Sequence, residues 1–449
     1  MEDSKHKLYI ETYGCQMNVA DSEVVVKILS EAGYDKTEMM EEADLILVNT
    51  CSVRENAETR VRGRLNLFNQ VKKKRPGLLI GVIGCMAERL KEKLLEEEKM
   101  VDIVVGPDAY RDLPRLVTVA GSGQKAINTL LSREETYADI SPVRTDGNKI
   151  SAFISIMRGC ENMCAYCIVP YTRGAERSRN PQTIVEEAKK LVDNGFREIT
   201  LLGQNVDSYK WTDGEIVNFP LLLEKVALVS PALRVRFATS HPKDMSDEVL
   251  YMMAKYPNIC KSIHLPVQSG STRLLGIMNR GYSREWYMNR INAIKTIVPE
   301  CSVSTDIMVG FCGETEEDQQ ETLSLMMEVG YDFAFMFKYS ERPNTYAARK
   351  MKDDVPEKVK VRRLNEVIAL QNKLSEESKE KDLGKTYEVL VEGFSKKSKK
   401  DLSGRTSQNK VVVFPAENYK IGDYVMVRIE RCTSATLIGV GVANGGVGR

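Results

Sequence analysis

The stretch that decides the fold is Arg158-Gly159-Cys160-Glu161-Asn162-Met163-Cys164-Ala165-Tyr166-Cys167, in which three cysteines follow a CxxxCxxC spacing. Three thiolates this close in sequence can face one metal centre. A structural zinc site normally has four protein ligands, and no second cysteine pair or nearby histidine supplies a fourth. Ligation by three cysteines leaves one position open. On a 4Fe-4S cluster, an open iron of this kind could bind a substrate.

The overall composition is that of an ordinary globular protein, with 64 Lys and Arg against 63 Asp and Glu and a formal charge of +1. Its 449 residues have room for about two to four domains. Any nucleic-acid surface must therefore come from local clustering of basic residues. No apolar run approaches the roughly 18 residues of a membrane span, so we expect a cytoplasmic protein. The ten cysteines occur in motif-like clusters, which favours metal binding over disulfides.

Residues 1–145 are predicted to form an open parallel α/β sheet, because short β-branched runs alternate with charged helical segments. Cys15, Cys51 and Cys85 each follow a predicted strand. Parallel strands end at one sheet edge, so a second site with three thiolates is plausible there. The alternative is that these cysteines are small buried core residues. The predicted strands are 8–12, 45–49, 79–83 and 103–105.

Residues 150–382 are predicted to form a partial (β/α)6 barrel of the TIM type, in which the chemistry lies at the carboxyl ends of the strands. Polar strand ends there include Gly203-Gln204-Asn205, and Ser304 and Asp306 lie on a later strand. A helix over 356–381 is predicted to connect this barrel to the next domain. The predicted barrel strands are 153–157, 198–202, 235–238, 262–265, 303–309 and 333–337.

Residues 383–449 are predicted to form a small antiparallel, OB-like β-barrel from strands 387–391, 410–414, 424–429 and 437–442. The segment 385–410 has four more basic than acidic residues, and its part between the predicted strands 387–391 and 410–414 is predicted to be a loop. Basic loops on small barrels often bind the RNA backbone, and the alternative is an ordinary solvated loop. The basic residues of interest are Lys396, Lys397, Lys399, Lys400 and Arg405.

The three regions together resemble the radical S-adenosylmethionine (SAM) methylthiotransferase family over essentially the whole chain, and the last resembles its TRAM domain. Cys312 departs from the family pattern, which usually has proline there, and could place a free thiol near the pocket. Three motifs resemble the branch that modifies tRNA more than the branch that modifies a ribosomal protein: Val169-Pro170-Tyr171-Thr172-Arg173-Gly174, Leu201-Leu202-Gly203-Gln204-Asn205-Val206 and Ser403-Gly404-Arg405-Thr406.

The resemblance implies two 4Fe-4S clusters with separate tasks. Cys160, Cys164 and Cys167 would hold the cluster that cleaves SAM, and Cys15, Cys51 and Cys85 an auxiliary cluster. One SAM would methylate a sulfur on the auxiliary cluster, and a second would give the 5′-deoxyadenosyl radical that activates carbon 2 of isopentenyl-adenosine, next to the anticodon. That carbon is unactivated, which is a physical reason for radical chemistry. The SAM contacts implied are Tyr166, Gly203, Gln204 and Asn205. Ser304 and Asp306 could reach the ribose, and the alternative is a plain strand-end turn.

The resemblance also implies macromolecular partners. These are tRNA carrying isopentenyl-adenosine, a reducing electron donor such as a flavodoxin system, and a sulfur source. The segment after the cluster motif, with Tyr171, Arg173, Arg177 and Arg179, could stack on or clamp the flipped-out base and its phosphates. Two alternatives remain at this point: methylthiolation of a ribosomal protein, and a zinc-dependent RNA-binding protein without catalytic activity.

Overall fold

A computed structural model describes residues 6–52, 55–144 and 149–442, without the side chains of residues 55–57. The predicted domain boundary at residue 145 lies outside the described residues. No helix within these ranges is both long and apolar enough to cross a membrane.

The first sheet, within the described residues 6–144, has six strands and is covered by five helices. The strands are β1 (His6–Tyr13), β2 (Tyr34–Lys36), β3 (Leu45–Thr50), β4 (Leu79–Gly84), β5 (Ile103–Val105) and β6 (Ala126–Asn128). The helices are α1 (Gln16–Glu31), α2 (Glu55–Lys74), α3 (Cys85–Leu90), α4 (Glu92–Glu97) and α5 (Leu113–Gly121). All strands are parallel, in the order β2-β1-β3-β4-β5-β6. The predicted open sheet is thus confirmed.

Both faces of this sheet are buried, as its apolar strands require. Helices α1 and α5 cover one face, and α2, α3 and α4 cover the other. The sequence reading missed β2 and β6, because each is a three-residue edge strand with polar residues and no β-branched run.

The second region is a partial barrel. Its strands are β7 (Ser151–Ser155), β8 (Met157–Arg158), β9 (Arg177–Ser178), β10 (Glu198–Leu202), β11 (Lys210–Trp211), β12 (Val217–Asn218), β13 (Arg234–Ala238), β14 (Ser262–His264), β15 (Ser302–Val309) and β16 (Phe333–Lys338). Its helices are α6 (Val169–Arg173), α7 (Pro181–Asp193), α8 (Phe219–Ala227), α9 (Asp247–Lys255), α10 (Thr272–Ile277), α11 (Arg284–Ile297), α12 (Glu316–Val329), α13 (Tyr346–Lys350) and α14 (Glu357–Glu380).

Six parallel strands of this region form the barrel wall in the order β7-β10-β13-β14-β15-β16. The two halves of the wall meet where the Val235 N–H donates to the Asn258 carbonyl (2.9 Å) and the Cys260 N–H to the Val235 carbonyl (2.9 Å). Within the described chain, β7 and β16 do not pair, so the barrel is open along one side. The predicted strand 153–157 is divided into β7 and β8, since β8 pairs instead with β9.

The third region is a closed five-stranded barrel. Its strands are β17 (Thr386–Ser395), β18 (Ser398–Thr406), β19 (Val411–Pro415), β20 (Tyr424–Cys432) and β21 (Leu437–Gly441). All neighbouring pairs are antiparallel except β19 with β21, which is parallel. The prediction that the residues between strands 387–391 and 410–414 form a loop is wrong, because they contain the end of β17 and all of β18. The lysines at the start of β18 resemble a loop, although the alternate residues Leu402, Gly404 and Thr406 are buried in the barrel.

The outer two regions close parts of the partial barrel. From α1, Met17 and Ala20 pack on Phe153 of β7 and cover the interior beside that strand. At the amino-terminal end of the strands, Arg236 donates to the Thr406 carbonyl (2.8 Å) and the Ser302 hydroxyl to the Gln408 carbonyl (2.6 Å). The interior is therefore covered at that end and beside β7, while the edge formed by β16 stays open.

Candidate functional site

The first cysteine triad lies in the loop between β8 and α6. Cys164 is buried, while Cys160 and Cys167 are half-buried. The Cys160 N–H donates to the Gly174 carbonyl (3.1 Å), which fixes the start of the loop. Gly159 has a φ of +79°, and a Cβ there would lie 1.9 Å from the Ala175 carbonyl oxygen, so the turn before Cys160 requires glycine.

Arg280 lies directly against this triad. Its buried guanidinium places Nη1 3.3 Å from Cys164 Sγ and 3.4 Å from the Tyr166 hydroxyl, and Nη2 2.7 Å from the Pro266 carbonyl. Burial raises the pKa of Cys160 and of Cys167 to about 12. Desolvated thiols favour the neutral form unless a cation binds the thiolate, as iron would. A bound cation would therefore be needed to hold these cysteines as thiolates.

The second triad is formed at the carboxyl edge of the N-terminal sheet. Cys15 follows β1, Cys51 follows β3 and Cys85 follows β4, and these three strands are neighbours. A Cβ on Gly14 would lie only 2.5 Å from the Cys51 Cβ, so the turn after β1 is in contact with the turn after β3. A hydrogen bond with Cys51, aided by the positive charge of Arg173, lowers the pKa of Cys15 to about 6. The structure thus brings together three thiols that are distant in sequence.

Arg173 links the helix that follows the first triad to the second triad. It ends α6, the helix that begins two residues after Cys167, and α6 packs on α3, which begins with Cys85. The Arg173 Nε lies 3.3 Å from Cys85 Sγ, and its Nη2 lies 2.9 Å from Asp21 Oδ2. A guanidinium from the barrel therefore lies within the N-terminal triad.

A buried ionic network surrounds this contact. Arg158 Nη1 lies 2.8 Å from Asp21 Oδ1, and Arg177 Nη2 lies 2.9 Å from both carboxylate oxygens of Asp108. Arg158 also approaches Asp108 at 3.5 Å. Three guanidinium groups from the barrel thus meet two carboxylates, one on α1 and one in the segment after β5, which leaves one positive charge in excess of the carboxylates beside the three thiols.

The prediction that Arg173, Arg177 and Arg179 clamp RNA is wrong. Each side chain is buried and already paired with a carboxylate, and Arg179 Nη1 lies 2.6 Å from Glu187. Tyr171 is half-buried, and its hydroxyl accepts from Arg349 (3.2 Å). The sequence pattern suggested phosphate contacts because it could not show Asp21 and Asp108, which lie far away along the chain.

The predicted SAM edge carries unpaired polar atoms. A Cβ on Gly203 would lie 2.6 Å from Met157 Cγ, so close packing requires glycine there. Asn205 donates from Nδ2 to Asp244 (2.7 Å). The buried Gln204 Oε1 and Asn205 Oδ1 have no hydrogen-bond partner among the described residues. Because buried polar atoms are normally satisfied, these two oxygens are suited to accept from a bound polar ligand such as the SAM amine.

Ser304 and Asp306 lie side by side on the interior face of β15 and share one histidine. His264 Nδ1 is 3.1 Å from the Ser304 hydroxyl, and its Nε2 is 3.4 Å from Asp306 Oδ1. Tyr166, a residue of the cluster loop, lies edge-on to Phe311, and Cys312 is buried in the same apolar cluster. Burial also raises the pKa of Cys312.

The predicted RNA-binding lysines are at the tip of the β17–β18 hairpin. All four are exposed: Lys396, Lys397, Lys399 and Lys400. Arg405 is instead paired with Glu392 (2.6 Å) and, across the domain contact, with Glu198 (3.2 Å). The Arg405 side chain therefore joins the C-terminal barrel to the partial barrel, and its assignment to RNA binding stays a prediction.

No group of three or more Cys, His, Asp or Glu side chains within the described ranges is placed to hold a metal ion. In a 4Fe-4S cluster each thiolate bonds a different iron, so its ligands need not converge on one point. Sequence reasoning missed Arg280, Asp21 and Asp108. Each is an ordinary charged residue in its local sequence, and its role arises only from tertiary contacts.

Three family models match the chain. The "Uncharacterized protein family UPF0004" matches residues 7–106, the "Radical SAM superfamily" residues 154–326 and the "TRAM domain" residues 380–442. The radical SAM match implies a 4Fe-4S cluster and SAM. Among solved structures, the radical S-adenosylmethionine methyltransferase TsrM from Kitasatospora setae is similar with a TM-score of 0.58 at 13% identity, over 77% of this chain and 74% of that one. At that identity the likeness concerns the fold alone.

Relatives match this chain over nearly its whole length. A protein of Bacteroides fragilis is 60% identical over 97% of this chain and 96% of its own length, and one of Parabacteroides distasonis is 59% identical over 98% and 96%. One of Amoebophilus asiaticus is 60% identical over 96% and 92%. All three are named tRNA-2-methylthio-N(6)-dimethylallyladenosine synthase. With identities this high over nearly the whole length, the chain belongs to the family of tRNA-2-methylthio-N(6)-dimethylallyladenosine synthases.

Proposed function

We propose that this protein is a radical-SAM tRNA methylthiotransferase, which adds a methylthio group to carbon 2 of isopentenyl-adenosine next to the anticodon. The names of its relatives support this substrate. The observation that carries the proposal is the contact of Arg173 with Cys85, which brings a CxxxCxxC triad and a second triad to the same end of the barrel. A reaction that needs both a radical and a sulfur donor requires two such centres close together.

The two triads would hold two 4Fe-4S clusters, with Cys160, Cys164 and Cys167 on one and Cys15, Cys51 and Cys85 on the other. When bound, the first would supply the electron that cleaves SAM, and the second would carry the sulfur to be transferred. An oxidised 4Fe-4S core with three thiolates carries one negative charge in total. The buried network has one positive charge in excess, so an N-terminal cluster would balance it.

Residues of the barrel would bind and orient SAM. Gln204 and Asn205 offer two unpaired carbonyl oxygens to its amine, beside the close turn at Gly203. Ser304 and Asp306, oriented by His264, face the interior and would accept from the ribose hydroxyls. Tyr166 would support the cluster loop through packing, since its ring lies in an apolar cluster.

The hairpin tip of the C-terminal barrel would bind the tRNA backbone. Four exposed lysines lie within five residues there, and phosphate contacts by lysine need no fixed geometry. An electron donor such as a flavodoxin system and a sulfur source would complete the reaction in the cytoplasm. We divide the chain into domains 1–145, 150–382 and 383–449, a division supported by the absence of strand pairing between the six-stranded sheet, the partial barrel and the closed barrel within the described residues.

The direct test is an anaerobic assay of the reconstituted protein with SAM, a reductant and an isopentenylated anticodon stem-loop RNA. Mass spectrometry of the digested RNA should show the 2-methylthio product, and the Cys160→Ala/Cys164→Ala/Cys167→Ala variant should give none. A ribosomal protein mixture serves as the competing substrate. Methylthiolation of a protein with none of the RNA would overturn the proposal, and so would bound zinc in a protein indifferent to SAM.

A further inference from the structure

The open edge of the partial barrel presents three phenylalanines in a row. Phe333, Phe335 and Phe337 of β16 are 50%, 44% and 37% exposed, although they belong to a strand of the barrel wall. Single exposed apolar side chains are normal, but a contiguous apolar patch indicates a binding surface. Alternate strand residues lie about 6.6 Å apart, so the three rings extend over about 13 Å.

The three rings face the barrel interior. In the parallel register, Phe333 is paired with Ser304, Phe335 with Asp306 and Phe337 with Met308. Paired residues of neighbouring strands point to the same face, which here is the face of the proposed SAM contacts. The residues between them, Ala334 and Met336, pack instead in the core beneath α14.

The row is connected to the polar residues of the interior through His264. The Phe335 ring meets the His264 ring edge-on with centroids 5.8 Å apart, and Phe333 meets Phe335 at 4.9 Å. His264 in turn contacts Ser304 and Asp306. The apolar row therefore begins where the proposed cofactor site ends, on the side of the interior that neither α1 nor the C-terminal barrel covers.

We propose that Phe333, Phe335 and Phe337 form the subsite for the isopentenyl-adenine base, in which their rings pack on the five-carbon prenyl chain and stack on the adenine. The inference rests on the proposed function and adds residues that recognise the substrate. A neutral base with a branched hydrocarbon chain matches an apolar aromatic row without charged side chains between the rings. Entry along β16 would bring the base into the interior beside Ser304 and Asp306, where SAM would lie.

This subsite predicts a measurable preference for the prenyl group. Equilibrium binding of the full-length protein is measured without SAM, using anticodon stem-loop RNA with and without the isopentenyl group. The wild type should bind the prenylated RNA at least about tenfold more tightly, because even a single methylene in an apolar pocket is worth about tenfold or more. In Phe335→Ala and Phe337→Ala, the ratio of the affinity for prenylated RNA to the affinity for unprenylated RNA should fall to about threefold or less. A general loss of RNA affinity lowers both affinities equally and leaves this ratio unchanged.

Two further variants control the measurement. Phe394→Ala removes another exposed phenylalanine, located on the C-terminal barrel, and should leave the ratio as in the wild type. Phe335→Leu keeps an apolar side chain and should retain part of the preference that Phe335→Ala loses. Thermal unfolding of each variant checks that the fold is intact, which is expected because the substituted rings are partly exposed.

Three outcomes would overturn the inference. They are a wild type with no preference for the prenyl group, an unchanged ratio in both Phe335→Ala and Phe337→Ala, and an equal fall of the ratio in Phe394→Ala. If the wild type still methylthiolates prenylated RNA in any of these cases, the proposed function stands and only the subsite is wrong. A wild type that methylthiolates no RNA would overturn both.

Discussion

The two cysteine triads have the same three side chains but are assembled in different ways. Cys160, Cys164 and Cys167 lie within eight consecutive residues of one loop, whereas Cys15, Cys51 and Cys85 come from the ends of three strands. Each triad has a buried guanidinium 3.3 Å from one sulfur, Arg280 at Cys164 and Arg173 at Cys85. Arg280 belongs to the same domain as its triad, while Arg173 reaches across from the other domain.

This difference shows that the first site depends on one loop and the second on a domain contact. The barrel triad is held by contacts within its own domain, among them the turn at Gly159, the Gly174 carbonyl and the side chain of Arg280. The N-terminal triad also needs the network in which Asp21 receives Arg158 and Arg173. Disturbing the contact between the domains should therefore affect the N-terminal triad and spare the barrel triad.

The largest effect on stability is expected from Asp21→Asn. The substitution leaves two buried guanidinium groups without their carboxylate, which should cost about 3 kcal/mol or more of unfolding free energy. The loss should be measurable by urea unfolding, together with a selective loss of iron from the N-terminal triad. On the same helix, Glu31→Gln removes only an exposed pair with Lys27 and should cost about 0.5 kcal/mol at most. Equal effects of the two substitutions would contradict the role of the network.

The ionisation of Asp21 should make the stability of the protein depend on pH. Burial alone would raise the pKa of Asp21, but the guanidinium groups of Arg158 and Arg173 hold this pKa below its usual range. A carboxyl group whose pKa is depressed in the folded state stabilises the protein at pH values above its pKa in the unfolded chain, about 3.9. This stabilisation is lost as the pH falls from there through the folded-state pKa. The urea unfolding free energy of the wild type should thus fall below about pH 4 more steeply than that of Asp21→Asn. Parallel curves would show that Asp21 is not ionised in this network.

A smaller effect is expected on the reduction potentials. Hydrogen bonds to cluster sulfurs and nearby positive charge raise the potential, because the reduced cluster is more negative. Arg173→Met should lower the potential of the N-terminal cluster by about 60 mV or more, the equivalent of one charged hydrogen bond. The measurement is a redox titration followed by electron paramagnetic resonance, in a background where Cys160, Cys164 and Cys167 are alanine.

Two matched variants sharpen this result. Arg177→Met removes a guanidinium from the same network that contacts Asp108 and no sulfur, so the potential should stay within about 20 mV of the parent. Arg280→Met, in the complementary background without the N-terminal cysteines, should lower the potential of the barrel cluster instead. A shift in both clusters from either arginine would contradict separate control of the two sites.

The smallest effect is expected from the hairpin lysines, which lie outside both triads. Replacing Lys396, Lys397, Lys399 and Lys400 by alanine should weaken the binding of tRNA by about tenfold, with or without the prenyl group. The slope of the logarithm of the binding constant against the logarithm of the salt concentration should become smaller by about one or more. Anisotropy measured across a salt series tests this, and iron content should be unchanged. An unchanged salt slope would remove the hairpin from the RNA interface.

Much of the fold could be predicted from the sequence because the signals are local. The alternation of β-branched runs and helical segments predicted the parallel sheet. The predicted bounds of the six barrel strands lie within a few residues of the observed bounds. The hairpin strand β18 was missed, since the lysines near its start resemble a loop. Short edge strands such as β2 carry too few residues for a periodic pattern.

The site was predictable only in part. The cysteines could be found because their position after strands is visible in the sequence, and strand order then brings Cys15, Cys51 and Cys85 together. Arg173 was found but given the wrong role, because a cation near a motif looks the same whether it faces phosphate or a buried carboxylate. The pairing of Arg173 with Asp21 is a tertiary contact over 152 positions of the chain, which no local pattern encodes.

The most direct test of two separate cysteine sites is anaerobic iron and sulfide analysis with Mössbauer spectra. It compares the wild type with two triple variants, one with Cys160, Cys164 and Cys167 replaced by alanine, and the other with Cys15, Cys51 and Cys85 replaced. We expect about eight irons in the wild type and about four in each variant, all in 4Fe-4S form. About four irons in the wild type, or loss of all iron from either triple variant, would contradict two independent clusters.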